Sequence, residues 1–394
     1  MAGKRLLFFA EAVTLAHLAR PLALIEQLTG KEYDIHLACP KNPFRRFLRD
    51  FPCPVHELDS MSPASFRRAL DWGLPIFTEK LLRQYIKTDL ALMDRLRPDA
   101  VIGDFRLSLA ISARVAKVRY INLANAYWRP EFCPVPPLPR LKPFAWVPRQ
   151  WLEPVFKQLI PHVFAAHAKP FNRLANEYGL QDFGGDVRNI YTNGDTVLYC
   201  DIPEMFPGLP LPDNHYFLGP ILWAPPVPDP PWWETLPDDK PVVYVVAGSS
   251  GSGKVFKKVL DYLARQPVTV IAALGGEDSG VRGNLYCSPW LDGLKSARRA
   301  DLMICNGGVM GCHQAWMAGI PVLGVCSNMD QFLNMKAVES AGLGKGYCQE
   351  SFLENQILSP LEFKQPERQS PDLDDLADRV SGLLQSIMEP RCEM

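Results

Sequence analysis

Short apolar runs alternate with segments of helical period through the first third of the chain. Leu6–Ala10, Asp34–Ala38, Ala100–Asp104 and Tyr120–Leu123 read as buried strands. Between the first two, Leu18, Leu22, Ile25 and Leu28 recur at a spacing near 3.6, which predicts a helix. Such alternation predicts a parallel sheet with helices on both faces. The pattern breaks over residues 130–161, where prolines mix with Phe132, Phe144, Trp146, Trp151 and Phe156, and a long insertion or lid is expected. From Gly219 to Pro241 the chain reads GPILWAPPVPDPPWWETLPDDKP, too rich in proline for a helix or a central strand. An extended, stiff connection is predicted. Alternation then restarts: a strand over Val242–Ala247, a glycine-rich loop, a helix over Val255–Ala264, then strands at Val268–Leu274, Leu285–Ser288, Leu302–Cys305 and Val322–Val325. Ser370-Pro371 supplies a cap and a first-turn proline to a last helix with Leu373, Leu376, Val380, Leu384 and Ile387 on one stripe. The expected organisation is an α/β domain over 1–221, a linker over 222–241, a second α/β domain over 242–369 and a terminal helix over 370–394.

Composition removes several function classes. Lys and Arg number 42 and Asp and Glu 43 in 394 residues, a net charge of −1, so a nucleic acid is not the expected partner. The opening run after Lys4 and Arg5 resembles a signal peptide, but Glu11 interrupts it too early. Residues 302–329 lack Asp, Glu, Lys and Arg, yet they contain Asn306, His313, Gln314, Pro321 and five glycines. No transmembrane segment is therefore expected, and a cytoplasmic protein is, with peripheral membrane contact left open. The 10 cysteines are scattered, and neither they nor the histidines show metal-ligand spacing.

Three motifs carry competing readings. Gly248–Lys254 fits G-x-x-x-x-G-K, but Val255 stands where a P-loop needs Ser or Thr for magnesium. The loop is then either a small-residue turn or a metal-free diphosphate contact through backbone N–H groups, Ser249 and Ser250. Asp372-Leu373-Asp374 matches a D-x-D metal motif, but in a first helical turn these carboxylates serve the helix dipole. Residues 41–50 (KNPFRRFLRD) read as an amphipathic helix with a basic face.

The most informative stretch is residues 300–344. A buried strand ends at Asn306, Gly307 and Gly308 allow close backbone approach, and a helix opens behind them, which is an anion-binding geometry. A further strand delivers Asp330-Gln331 at its carboxyl end, where ligands bind in open α/β sheets. A carboxylate beside an amide suits sugar hydroxyls.

With these residues in this order, the chain resembles the GT-B glycosyltransferases, in the branch of UDP-glucuronosyltransferases and macrolide glycosyltransferases. The match also includes His17-Leu18-Ala19-Arg20-Pro21, Phe217-Leu218-Gly219-Pro220, Ala318-Gly319, Ile320-Pro321 and Asn334. The resemblance implies two Rossmann-like domains facing a central cleft, the second binding a UDP or TDP sugar, and a terminal helix that crosses back onto the first. It implies that His17 acts as base and Asp104 orients it. It also implies that Asn306, Gly307 and Gly308 meet the diphosphate, that Gln314 and Trp290 lie near the ribose and base, and that Asp330 and Gln331 hold the sugar. Asn306 and Gln314 depart from the family's His and acidic residue, and Trp290 falls two residues from the expected stacking position. The expected activity is an inverting, metal-independent transfer of a hexose-type sugar, without a cofactor, to a hydroxyl of a small-molecule or lipid acceptor. Phe144, Trp146 and Trp151 are candidates for an apolar acceptor site or a membrane contact. A sugar-nucleotide epimerase, a non-catalytic sugar-nucleotide-binding protein and a P-loop phosphotransferase stand as alternatives.

Overall fold

A computed structural model describes residues 3–41, 48, 51–134, 146–147, 149–248, 253–273, 275, 279–349, 352 and 374–388. The first half runs β1 (Lys4–Ala10), α1 (Ala16–Leu28), β2 (Tyr33–Cys39), β3 (Val55–Glu57), α2 (Pro63–Trp72), α3 (Glu79–Leu96), β4 (Ala100–Asp104), α4 (Leu109–Ala116), β5 (Arg119–Ala124), α5 (Arg149–Glu177), α6 (Arg188–Tyr191), β6 (Thr196–Tyr199) and β7 (His215–Phe217). Its strands form one parallel sheet in the order β3-β2-β1-β4-β5-β6-β7. The second half runs β8 (Val242–Val246), α7 (Gly253–Leu263), β9 (Thr269–Ala273), β10 (Gly280–Arg282), β11 (Leu285–Ser288), α8 (Gly293–Arg298), β12 (Leu302–Cys305), α9 (Val309–Ala318), β13 (Val322–Cys326), α10 (Met329–Ser340) and β14 (Gly344–Cys348). Its sheet is ordered β10-β11-β9-β8-β12-β13-β14, parallel except for the β10 edge. Each sheet is α/β and doubly wound.

The central strands are buried along their length because helices cover both faces, so they read as unbroken apolar runs rather than alternating ones. Five strands are absent from the sequence reading: β3, β7 and β10 have three residues each and are partly exposed, β14 is partly exposed along its length, and β6 is buried but only four residues long. The helix α3 shows what fixes a boundary: the Thr78 hydroxyl accepts from the Leu81 N–H at its start, and Arg97 turns left-handed at its end.

The 130–161 segment, expected as an insertion, gives way at Arg149 to a helix of 29 residues that passes through Pro154, Pro161 and Pro170. Its second half packs Phe164, Ala168, Phe171 and Leu174 into the core beside α3. Its first half leaves Trp151, Val155 and Leu159 exposed. At the other end of the chain, a helix over Asp374–Met388 buries Val380 and Leu384 in the same cluster as Leu18, Leu22 and Ile25 of α1. Full burial of two such side chains is worth about 1.5–3 kcal/mol each.

Candidate active site

In both sheets the strand order reverses beside the first strand, between β1 and β4 and between β8 and β12. A crevice opens at the carboxyl ends of such a pair. His17, Asp104, Asn306, Gly307, Gly308, Gln314, Trp290, Asp330 and Gln331 lie at these two places.

At the first, β1 leads into α1, whose second residue is His17, and β4 ends on Asp104. His17 Nδ1 lies 2.9 Å from Asp104 Oδ1. Asp104 is fully buried and also accepts two bonds from Arg20, from Nε and from the terminal nitrogen, each at 2.7 Å. Arg20 is three residues after His17, so the helix period sets both side chains on one face. The other terminal nitrogen of Arg20 donates to Asn125 Oδ1 at 2.8 Å, and Asn125 Nδ2 donates to Asp201 Oδ1 at 2.8 Å. Burial opposes the charge of Arg20, but the Asp104 carboxylate more than offsets it and holds the guanidinium protonated. Burial pushes the Asp201 carboxyl up to about 6, against the hydrogen bonds from the Ala126 N–H and Asn125.

The His17 ring is set from below. Phe105 stacks on it at 4.4 Å and 12°. Phe105 has φ of 58°, a left-handed backbone that costs a bulky residue about 1–3 kcal/mol. A buried ionic cluster braces the same loops: Arg106 bonds Glu11, which follows β1, and Asp89 of α3.

At the second crevice the furniture is backbone. Gly248, two residues after β8, has φ of +63°, and a Cβ there would lie 2.9 Å from Asn306 Nδ2. Gly307 has φ of +76°, and its own Cβ would strike Cys326 Sγ at 2.6 Å. Asn334 Nδ2 donates to the Gly307 carbonyl at 2.9 Å and fixes this turn. Gly308 is the N-cap of α9, and its N–H is taken by Asn306 Oδ1 at 3.1 Å. Asn306 thus caps the turn that precedes the helix. The first-turn residues Val309, Met310 and Gly311 line the cleft, and N–H groups at that position have no intrahelical acceptor. Gln314 lies against Gly293, where any side chain would collide with its amide, and Trp290 borders the same space.

Two cavities meet at this junction. A cleft of about 450 Å³ between the sheets is lined by His17, Arg20, Tyr127, Gly248, Trp290, Asn306, Gly308, Gln314, Asp330 and Gln331. A smaller cavity of about 110 Å³ is also bordered by His17 and is walled by Phe66, Leu70, Ile76, Phe105, Trp128 and Tyr191. His17, Arg20, Asn125 and Asp330 border both.

Asp330 and Gln331 sit in the first turn of α10, where Asn328 caps the helix by accepting from the Gln331 N–H. The Gln331 carbonyl oxygen accepts from the Ser327 N–H at 2.8 Å and from its hydroxyl at 3.0 Å. Asp330 Oδ1 accepts from Tyr127 Oη and from Trp128 Nε1, both at 2.9 Å. These donors come from the turn after β5, across the domain junction.

Of the other residues proposed from sequence, Trp146 and Trp151 are 82% and 68% exposed and line neither cavity. Lys254 is exposed at the start of α7. Ser249, Ser250, Phe144 and Asp372 lie outside the described residues. Among the described residues no group of three or more His, Cys, Asp or Glu side chains could hold a metal ion, and no helix is long and apolar enough to cross a membrane. The sequence reading gave no role to Arg20, Asn125, Asp201, Tyr127 or Trp128. For Arg20 a signal existed in its three-residue spacing from His17; the others are joined only by tertiary structure.

No family model matches the chain. It is 38% identical over 401 residues to a PGL/p-HBAD biosynthesis glycosyltransferase of Mycobacterium tuberculosis, covering 98% of this chain and 93% of that protein. It is 40% identical over 343 residues to a PGL/p-HBAD biosynthesis rhamnosyltransferase of Mycobacterium bovis, covering 86% and 76%. A third relative, 39% identical over 265 residues (66% of this chain and 71% of that protein), is named an inactive PGL/p-HBAD biosynthesis glycosyltransferase of the same species. Among solved structures, the kitacinnamycin glycotransferase superposes with a TM-score of 0.66 at 17% identity, covering 98% of this chain and 95% of that one. A spinosyn rhamnosyltransferase complexed with thymidine diphosphate superposes at 0.63 with 14% identity, covering 98% and 100%. The chain therefore belongs to the glycosyltransferase family that includes these mycobacterial relatives, and its fold is GT-B.

Proposed function

We propose that this enzyme transfers a hexose-type sugar, with a deoxyhexose such as rhamnose favoured, from a thymidine or uridine diphosphate donor to a hydroxyl of a hydrophobic acceptor, with inversion and without a metal. The observation that carries this reading is the position of His17 on the partition between the two cavities. With Nδ1 directed at Asp104, the ring presents Nε2 to an acceptor hydroxyl. Nε2 takes the hydroxyl proton as the oxygen attacks the anomeric carbon. The bond to the diphosphate breaks on the opposite face, so the anomeric configuration inverts. Asp104 holds the ring's tautomer and balances the imidazolium that forms.

The leaving diphosphate gathers negative charge, and the start of α9 meets it with the helix dipole and unpaired N–H groups. Ser249 and Ser250 are proposed to add hydroxyl donors to the same phosphates. Gln314 and Trp290 border the end of the cleft assigned to ribose and base, and Asp330 and Gln331 the end assigned to sugar. Thymidine diphosphate in the spinosyn rhamnosyltransferase and the rhamnosyltransferase name of a 40%-identical relative favour a TDP-deoxysugar.

The smaller cavity is the acceptor site in this reading, and its aromatic walls favour an apolar ring beside the reacting hydroxyl. Trp151, Val155 and Leu159, four residues apart on the helix, form an exposed apolar stripe outside it, and Trp146 is exposed as well. We assign that stripe to peripheral contact with a lipid acceptor or its membrane, in an intracellular enzyme. The test is a donor panel of TDP and UDP sugars incubated with aromatic, lipid and oligosaccharide alcohols, products resolved by mass spectrometry and anomeric configuration by NMR. Transfer to aromatic or lipid alcohols with inversion, undiminished by a chelator, is expected. Donor turnover without any acceptor would replace the reading with an epimerase, and donor binding without turnover with a binding protein.

A further inference from the structure

We propose that Trp128 is a positioning residue that sets selectivity for the donor sugar from the acceptor side of the site. The proposal deepens the reading of Asp330 as a sugar-binding carboxylate and rests on it. Trp128 belongs to the first domain and forms a wall of the smaller cavity, yet its indole N–H holds Oδ1 of Asp330, which belongs to the second domain. Tyr127 donates to the same oxygen. With both donors on Oδ1, the carboxylate's orientation is restrained, and Oδ2 carries no hydrogen bond among the described residues. One face of the carboxylate is therefore committed to the protein and the other is left for a sugar hydroxyl.

The indole is itself held by a row of rings. Trp128 stacks on Tyr191 at 4.5 Å and 22°, Tyr191 meets Phe105 at 5.7 Å, and Phe105 stacks under His17. A single aromatic wall thus runs from the proposed base to the sugar carboxylate, and this wall lines the acceptor cavity. An acceptor seated against it contacts the groups that orient both His17 and Asp330. Sugar recognition is consequently divided between domains: α10 supplies the carboxylate, and the turn after β5 supplies its orientation.

Trp128→Phe keeps the ring on Tyr191 and deletes only the N–H. Binding of free thymidine diphosphate and of TDP-glucose and TDP-rhamnose, measured calorimetrically, gives the ratio of nucleotide to nucleotide-sugar dissociation constants. Loss of a hydrogen bond to a charged group should reduce that ratio about 10-fold for the better sugar, with free nucleotide affinity unchanged. Asp330→Ala should reduce it at least as much, and the double variant no further, since the indole then has nothing to hold. Tyr127→Phe gives an independent measure of the same oxygen, should Trp128→Phe lower the unfolding temperature enough to obscure binding. If Asp330→Ala lowers the ratio while both Trp128→Phe and Tyr127→Phe preserve it, the positioning role is wrong and the sugar-binding role of Asp330 stands. If Asp330→Ala also preserves the ratio, both fall. Equal weakening of nucleotide and nucleotide sugar by Trp128→Phe would reduce the indole to a structural contact.

Discussion

The two crevices share a topology and differ in what fills them. The first contains a buried chain of ionisable and amide groups, His17–Asp104–Arg20–Asn125–Asp201. The second is built largely of glycines, an asparagine, two glutamines and a helix start, with Asp330 at its border, and among the described residues none of the lining side chains from its own domain is cationic. The contrast follows from the work each does in the proposed reaction. A proton acceptor must sit next to fixed charge that tunes and orients it, and such charge survives burial only when paired. A diphosphate brings its own charge, and backbone dipoles meet it without needing neutralisation when the site is empty.

The sharpest way to break this comparison is to remove the base. His17→Ala should lower turnover by roughly 10²–10⁴-fold and leave the dissociation constant of free nucleotide unchanged. Substantial residual turnover at saturating donor would move the chemistry elsewhere. The next effect falls on folding. Arg20→Met strands the Asp104 carboxylate in the interior, and a loss of about 3–5 kcal/mol is expected from denaturant unfolding. A loss below about 1 kcal/mol would mean that the first crevice tolerates an unpaired charge. In the second crevice the matching probe is steric. Gly248→Ala forces a side chain into a left-handed backbone against Asn306, with an expected loss of about 1–3 kcal/mol in the stability of the second domain and, through the displaced Asn306 turn, weaker nucleotide binding. Unaltered nucleotide affinity would show that this turn does not approach the donor.

The smallest effect at neutral pH concerns acid. Burial is the main reason that His313 of α9 is held down to about 3, with the Arg20 charge adding to it. The unfolded chain therefore binds a proton near its ordinary value that the folded chain refuses. The stabilisation is complete above about pH 6.5 and drains as pH falls toward 3, with a slope of at most about 1.4 kcal/mol per pH unit. His215, held near 4 chiefly by burial, contributes with the same sign from the first domain. His313→Leu should make the acid limb of stability one proton shallower between pH 6.5 and 4 and change little at pH 7. An identical pH profile in the variant would assign the acid lability to the first domain alone.

Much of this architecture is visible in the sequence because buried parallel strands leave unbroken apolar runs and helices leave a period of 3.6. Leu302–Cys305 and Ala100–Asp104 are read directly. The short partly exposed strands β3, β7 and β10 leave no such trace, and their existence depends on a neighbour already in place. The same division holds in the site. Asn306–Gly308 and Asp330-Gln331 are local motifs, and His17 is marked by its place after the first strand. Asn125, Asp201, Tyr127 and Trp128 are ordinary residues of a loop until the sheet delivers them to Arg20 and Asp330. Aromatic content alone pointed to Trp146 and Trp151, whereas the enclosed aromatic walls come from Phe66, Phe105, Trp128 and Tyr191, which are dispersed along the chain.

The packing of the last helix on α1 has a mechanical consequence. The chain passes from the first domain to the second after β7 and returns before Asp374, so the domains are hung from two points rather than one. A single tether permits swivelling in any direction, whereas two tethers leave one soft motion, rotation about the line that joins them. Opening the larger cleft to exchange nucleotide is then a swing about that line, and twist or lateral slip is suppressed. Because α1 carries both His17 and the returning helix, the base stays with the first domain through that swing.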